Sequence, residues 1–294
     1  MTDVRRIDLL DPAEVARLGG IEIVAQGVVE GFLAGIHRSP FRGFSVEFTE
    51  HRAYQPGDEP RYLDWKILAR ADRLFVKQFE EETNLRAMLL VDASRSMAWR
   101  GAPGRLTKRA YADRLAAALA LILLRQRDAT GLITFDEAVR QVIPARARTG
   151  QWTRLVRGLL DTPDGRGTAA EAALLHLTGL LARRGLVVLV SDLLFDRALA
   201  LTALRYLRHR GHNVIVFHLM DPAEAELAGP PEVRLRDPEC AASVVVRPRE
   251  LARAYGETVR REVAAWRSAC RRHGIGYHHV LTDLPFGMAL RLLA

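Results

Sequence analysis

The chain has 294 residues, 49% of them apolar and 27% charged, which fits a globular fold with one large core, or one core plus a smaller module. Its net charge is +8, yet only three basic residues are lysines (Lys66, Lys77, Lys108), and the arginines are interleaved with acids. With no block of like charge, no nucleic acid is expected as partner; with no apolar run of the ~18 residues a span needs, none is expected to cross a membrane.

In chain order, residues 1–36 read as a helical lead-in. Pro12 suits the first turn after Asp11, and Val15, Leu18, Ile23, Val28, Val29, Phe32 and Leu33 recur at rough helical spacing, interrupted by Gly19-Gly20. Asp3, Asp8, Asp11 and Glu14 do not suit a secretory signal. Cys240 and Cys270 form neither a disulfide framework nor a CxxC pair. A cytoplasmic protein is expected. Residues 37–83 change character. Phe44, Val46 and Phe48 alternate with Ser45 and Glu47 as in a strand. Pro56-Gly57-Asp58 is a turn, Tyr62–Arg70 reads as a short helix, and Leu74, Val76 and Phe79 form a second strand-like run. Residues 1–83 are therefore read together as a helical lead-in plus a small β-rich module.

From residue 84 to 294 the pattern becomes α/β alternation. Strands are expected at Leu85–Val91, Gly131–Phe135, Val139–Ile143, Leu186–Val190, Val214–Leu219 and Tyr277–Leu281. Helices are expected at Leu106–Gln126, Trp152–Leu160, Ala169–Ala182, Ala198–His209 and Arg249–His273, and a hairpin at Val233–Leu235 and Ser243–Val246. Such alternation predicts a mainly parallel sheet covered on both faces.

The candidate site lies in Leu89-Leu90-Val91-Asp92-Ala93-Ser94-Arg95-Ser96, where an apolar strand ends in a carboxylate followed by two alternating hydroxyls. Ligand sites in open α/β sheets sit outside the carboxyl ends of the strands. Two further loops add oxygens. Thr168 follows Asp164-Gly165-Arg166-Gly167 at the start of a helix, and Asp192 follows the strand Leu186–Val190. Asp92, Ser94, Ser96, Thr168 and Asp192 make a hard oxygen set suited to Mg²⁺ or Mn²⁺, which take about six oxygens. Ser94 and Ser96 would bind directly, Thr168 directly or through water, and Asp92 and Asp192 through water while orienting the hydroxyls. Singly, each has a structural reading. Thr168 with Glu171 forms a capping box, Asp192 is a helix cap, and the serines are turn residues. Together, and on these elements, they favour the metal.

The order Asp92, Ser94, Ser96, Thr168, Asp192 resembles the metal-ion-dependent adhesion site of von Willebrand factor A domains. The resemblance implies a Rossmann-like three-layer domain over 84–294, Mg²⁺ binding, and adhesion to a partner's acidic residue rather than turnover. A longer string upstream, His37–Phe48 followed by Arg52–Trp65 and Ala69-Arg70, resembles the signature of domain-of-unknown-function family 58, whose members carry such a block before an A-type domain. That resemblance implies a non-enzymatic adaptor, with a MoxR-type AAA+ ATPase or its client as partner. The rival reading is a metal-assisted hydrolase or phosphatase using the same oxygens. It needs a base beside the metal, and the three candidate loops contain no histidine. Elsewhere, Asp58, Glu59 and Asp64 with Arg52, Arg61 and Arg70 read as a docking or structural network. Asp221-Pro222-Ala223-Glu224 reads as a helix start near the metal edge. His278 and His279, adjacent in a strand, point to opposite faces and do not share a site.

Overall fold

A computed structural model of the chain describes residues 20–35, 47–54, 67, 74–80, 85–165, 167, 171–227, 231–236 and 243–293. Two compact units emerge, one of residues 1–39 and 86–294, the other of residues 40–85.

The larger unit is built on a six-stranded sheet. Its strands are β3 (Arg86–Asp92), β4 (Ala129–Phe135), β5 (Val139–Arg146), β6 (Leu186–Ser191), β7 (Asn213–Met220) and β10 (Gly276–Leu281), in the order β10-β7-β6-β3-β4-β5. All neighbouring pairs are parallel except β4–β5, the expected hairpin, which runs antiparallel. The central strands are mostly apolar because both faces are covered, and every residue of β6 is buried. Helices α2 (Lys108–Arg125), α3 (Gln151–Asp161), α4 (Glu171–Leu180), α5 (Arg197–His209) and α7 (Pro248–Arg272) join these strands. This is the Rossmann-like, mainly parallel α/β architecture expected from the sequence.

The short elements are α6 (Pro222–Glu226), α8 (Phe286–Arg291) and the hairpin β8–β9 (Val233–Arg236, Ser243–Val246), the last as expected. The N-terminal helix α1 (Ile21–Gly35) departs from the expected grouping. Ile21, Val24, Ala25, Val28 and Val29 are buried, and the helix packs against α2 and α8. Its apolar stripe at i, i+3, i+4, i+7 finds the Ala-rich face of α2, so it belongs to the α/β body rather than to the β-rich module.

The smaller unit contains an antiparallel pair, β1 (Glu47–Ala53) and β2 (Phe75–Glu80), extended by a bond from Tyr54 N to Leu74 O at 3.0 Å. The described part of the first strand covers the Glu47–Phe48 end of the expected alternation. Residues 44–46, the lead-in before Gly20 and all of the Tyr62–Arg70 segment but Ile67 lie outside the described residues.

Candidate metal centre at the carboxyl edge of the sheet

Parallel strands deliver their carboxyl ends to one edge, and here four of them end in aspartate. Asp92 ends β3, Asp136 follows β4, Asp192 follows β6 and Asp221 follows β7. All four are buried, which obliges each charge to find a partner. Three find one by different chemistry. Asp136 takes a two-pronged contact from Arg140 at 2.7 and 2.5 Å. Asp192 Oδ2 lies 2.8 Å from Lys108 Nζ, an ion pair whose alignment falls short of a hydrogen bond. Asp221 pairs with the Arg105 guanidinium, Nη1 3.5 Å from its Oδ1, caps α6 through Ala223 N at 2.8 Å and also accepts from Gly101 N at 3.1 Å. A Cβ on Gly101 would lie 2.4 Å from Asp221 Oδ1, so only glycine lets that loop reach its clamp.

Asp92 differs. Its Oδ1 accepts from Ser94 N at 2.8 Å and its Oδ2 from Ser191 Oγ at 2.6 Å, both neutral donors. Burial, and then the neighbouring Asp192 charge, push its pKa up from 3.8 to about 6, against the lowering effect of these bonds. Ser94 and Ser96 are brought together beside it, Oγ to Oγ at 3.1 Å, by a single 3₁₀ turn over Arg95–Ala98. The glycine-rich loop docks onto the same segment. Gly165 N donates to Ala93 O at 2.6 Å and Arg95 N to Gly167 O at 3.3 Å. A Cβ on Gly165 would lie 2.7 Å from Ala93 O and 2.6 Å from Asp136 Oδ2. Thr168 itself lies outside the described residues, one position beyond that contact.

The turn after β6 sets Asp192. Leu193 adopts φ +55°, a left-handed conformation that leucine disfavours by about 1–2 kcal/mol. Leu193 N donates to Ser191 Oγ at 2.9 Å, which helps hold the turn, and Leu194 N to Asp192 Oδ1 at 3.3 Å. Ser191 thus ties Asp92 to the turn that presents Asp192.

A match to the family described as "Protein of unknown function DUF58" covers residues 50–265. The chain belongs to the DUF58 family. An uncharacterized protein of Mycobacterium tuberculosis is 32% identical over 274 residues, covering 91% of this chain and 83% of its own length, and one of Mycobacterium bovis matches equally. Among similar solved structures, an aerotolerance-related membrane protein from Bacteroides fragilis is 17% identical with a TM-score of 0.49, covering 71% of this chain and 96% of that one. The SpRpn10 VWA domain is 11% identical with a TM-score of 0.40, covering 70% and 94%. Among the described residues, no helix is long and apolar enough to cross a membrane.

Does the DUF58 chain's edge suit a hard divalent cation? Among its described residues no three His, Cys, Asp or Glu side chains form a ready ligand set, so a cation here depends on hydroxyls beside carboxylates. The observations fit. Two serine hydroxyls converge, Asp92 has no cationic partner among its contacts, and the buried Asp192 Oδ2 is met by the Lys108 ammonium without an aligned hydrogen bond. Oxygen donors of this kind suit Mg²⁺ or Mn²⁺.

Four contributors escaped the sequence reading. Asp136 lay between the expected strands Gly131–Phe135 and Val139–Ile143, and Ser191 just after the expected strand Leu186–Val190. Glu224 was read only as a helix-start acid, yet its Oε1 accepts from Lys108 Nζ at 2.6 Å and its Oε2 from Asp221 N at 3.0 Å. Lys108 fell inside the expected helix Leu106–Gln126, with no motif to mark it as part of the site. The available signal was its rarity, one of three lysines in an arginine-rich chain, placed in the first turn of the helix after the Asp92 loop. Burial pushes the Lys108 pKa down, but Asp192 and Glu224 outweigh it and the net direction is up, so its ammonium stays charged. A cavity of about 280 Å³ adjoins, lined among others by Lys108, Asp192, Phe195, Tyr255 and Trp266.

Proposed function

We propose that this chain is a non-enzymatic, Mg²⁺-dependent protein-binding adaptor. Ser94 and Ser96 would hold the ion with Thr168, while Asp92 and Asp192 act from just outside its direct ligands. The ion would supply an electrophilic position for a carboxylate of the partner. With few anions touching it, that position keeps its attraction for an acidic side chain. The observation that carries the reading is the buried Asp92 carboxylate, met only by neutral donors beside two converging hydroxyls.

Binding is favoured over turnover by the chemistry around the site. His218, the imidazole nearest Asp192 in the sheet, is held down to about pKa 3, first by burial and then by the neighbouring His279. Its Nδ1 is engaged with Tyr277 Oη at 2.6 Å. A histidine so placed is a poor general base at neutral pH. For the partner, the family resemblance points to a MoxR-type AAA+ ATPase or a client delivered to it.

The test is retention of a purified MoxR-type ATPase on the immobilised chain, in Mg²⁺ and then in EDTA. Retention only with Mg²⁺, and its loss in Asp92→Ala, is the expected result. Equal retention in EDTA would move the contact away from this edge. Hydrolysis of a generic phosphate or ester substrate that depends on Mg²⁺ and on Asp92 would overturn the adaptor reading in favour of an enzyme.

A further inference from the structure

Within the proposed metal centre the chain already holds a positive charge of its own. Lys108 Nζ is buried and lies 2.8 Å from Asp192 and 2.6 Å from Glu224. It stands over the Trp99 ring at 5.9 Å, and Lys108 N donates to Trp99 O at 3.2 Å. The ammonium therefore reaches the edge from the first turn of α2 and is packed in place.

We propose that Lys108 is a positioning residue that sets the cation affinity of this site, and that Glu224 sets how much of its charge Asp192 feels. The inference rests on the metal reading above. An ammonium in contact with Asp192 partly neutralises the carboxylate that would attract a divalent ion, and it repels that ion directly. Burial leaves this opposition little screened by solvent. Glu224 draws on the same ammonium from the other side. It is fixed there because its second oxygen closes the cap on Asp221, and Asp221 clamps Gly101 in the loop that follows the Ser94–Ser96 turn. The consequence is a site that holds its cation weakly alone. A partner carboxylate adds the missing negative charge, so cation and partner bind cooperatively, each raising the affinity of the other by the same factor.

The roles of the two residues predict shifts of opposite sign. In Lys108→Met the opposing charge is gone and Mn²⁺ should bind about tenfold tighter or more. In Glu224→Gln the ammonium leans on Asp192 alone and Mn²⁺ should bind weaker by about threefold or more. Lys108→Arg keeps the charge and should stay near the wild type. Free Mn²⁺ is read by electron paramagnetic resonance on the full chain, with circular dichroism to show that each variant is folded. A purely structural role for this ion pair would weaken Mn²⁺ binding in Lys108→Met and Glu224→Gln alike, and that result overturns the proposal. If Lys108→Met does not fold, the Glu224→Gln shift decides: unchanged or tighter binding overturns the proposal. No Mn²⁺ binding by any form would instead overturn the metal reading itself.

Discussion

Asp92 and Asp136 end neighbouring strands of one sheet, at the same edge, and both side chains are fully buried. Arg140 grips Asp136 with two nitrogens, whereas Asp92 has only a backbone amide and a hydroxyl. The difference separates a charge matched by a guanidinium from one met only by neutral donors. A buried carboxylate matched by a guanidinium is finished as a structure. One matched by neutral donors keeps an unanswered charge, which a divalent cation would answer under the proposed function.

The largest effect should come from exchanging charge for an isostere at the two positions. Asp92→Asn should reduce Mn²⁺ affinity by about a hundredfold, yet leave the metal-free fold as stable as the wild type or more so, because an uncompensated buried charge disappears. Asp136→Asn should do the reverse, costing about 1–3 kcal/mol of stability as Arg140 loses its partner. Urea unfolding in EDTA measures both, and equal destabilisation by the two variants would break the comparison.

Ser191→Ala sharpens it. Removing the 2.6 Å donor to Asp92 Oδ2 should cost about 1–3 kcal/mol without metal, and added Mn²⁺ should recover part of the loss in the melting temperature. No recovery would place the cation elsewhere.

A smaller effect follows from pH. Asp92 has its folded-state pKa raised from 3.8 to about 6, so folding favours its protonated form. That stabilisation is full below pH 3.8 and is lost as pH rises through about 6. In EDTA, the wild-type melting temperature minus that of Asp92→Asn should therefore increase between pH 7 and pH 4. Asp113 is also raised to about 6 by burial, and the subtraction removes its contribution. The smallest effect belongs to a solvent-exposed pair lining the cavity that adjoins this edge. Arg197–Glu262 is half exposed, and Arg197→Ala should cost under about 1 kcal/mol.

Much of the architecture was legible because periodicity reports burial. The all-buried run of β6 and the Pro248–Arg272 helix stood out at nearly their observed bounds. Grouping was harder to read. The stripe of α1 shows one buried face but not which surface receives it, and α2 received it. For the candidate centre, Asp92, Ser94 and Ser96 were visible as a motif on the end of a strand. Lys108, Asp136, Ser191 and Glu224 were not, because each acts through a partner 4 to 116 positions away, and a linear pattern carries no such distance.

The central claim is that a divalent cation sits on the Asp92–Ser96 turn. Its most direct measurement is Mn²⁺ binding by electron paramagnetic resonance to the wild type and to a Ser94→Ala/Ser96→Ala variant, whose lost hydroxyls carry no charge. The account predicts one Mn²⁺ per wild-type chain and none in the folded double variant. Undiminished Mn²⁺ binding by the double variant, or none by the wild type, would contradict it.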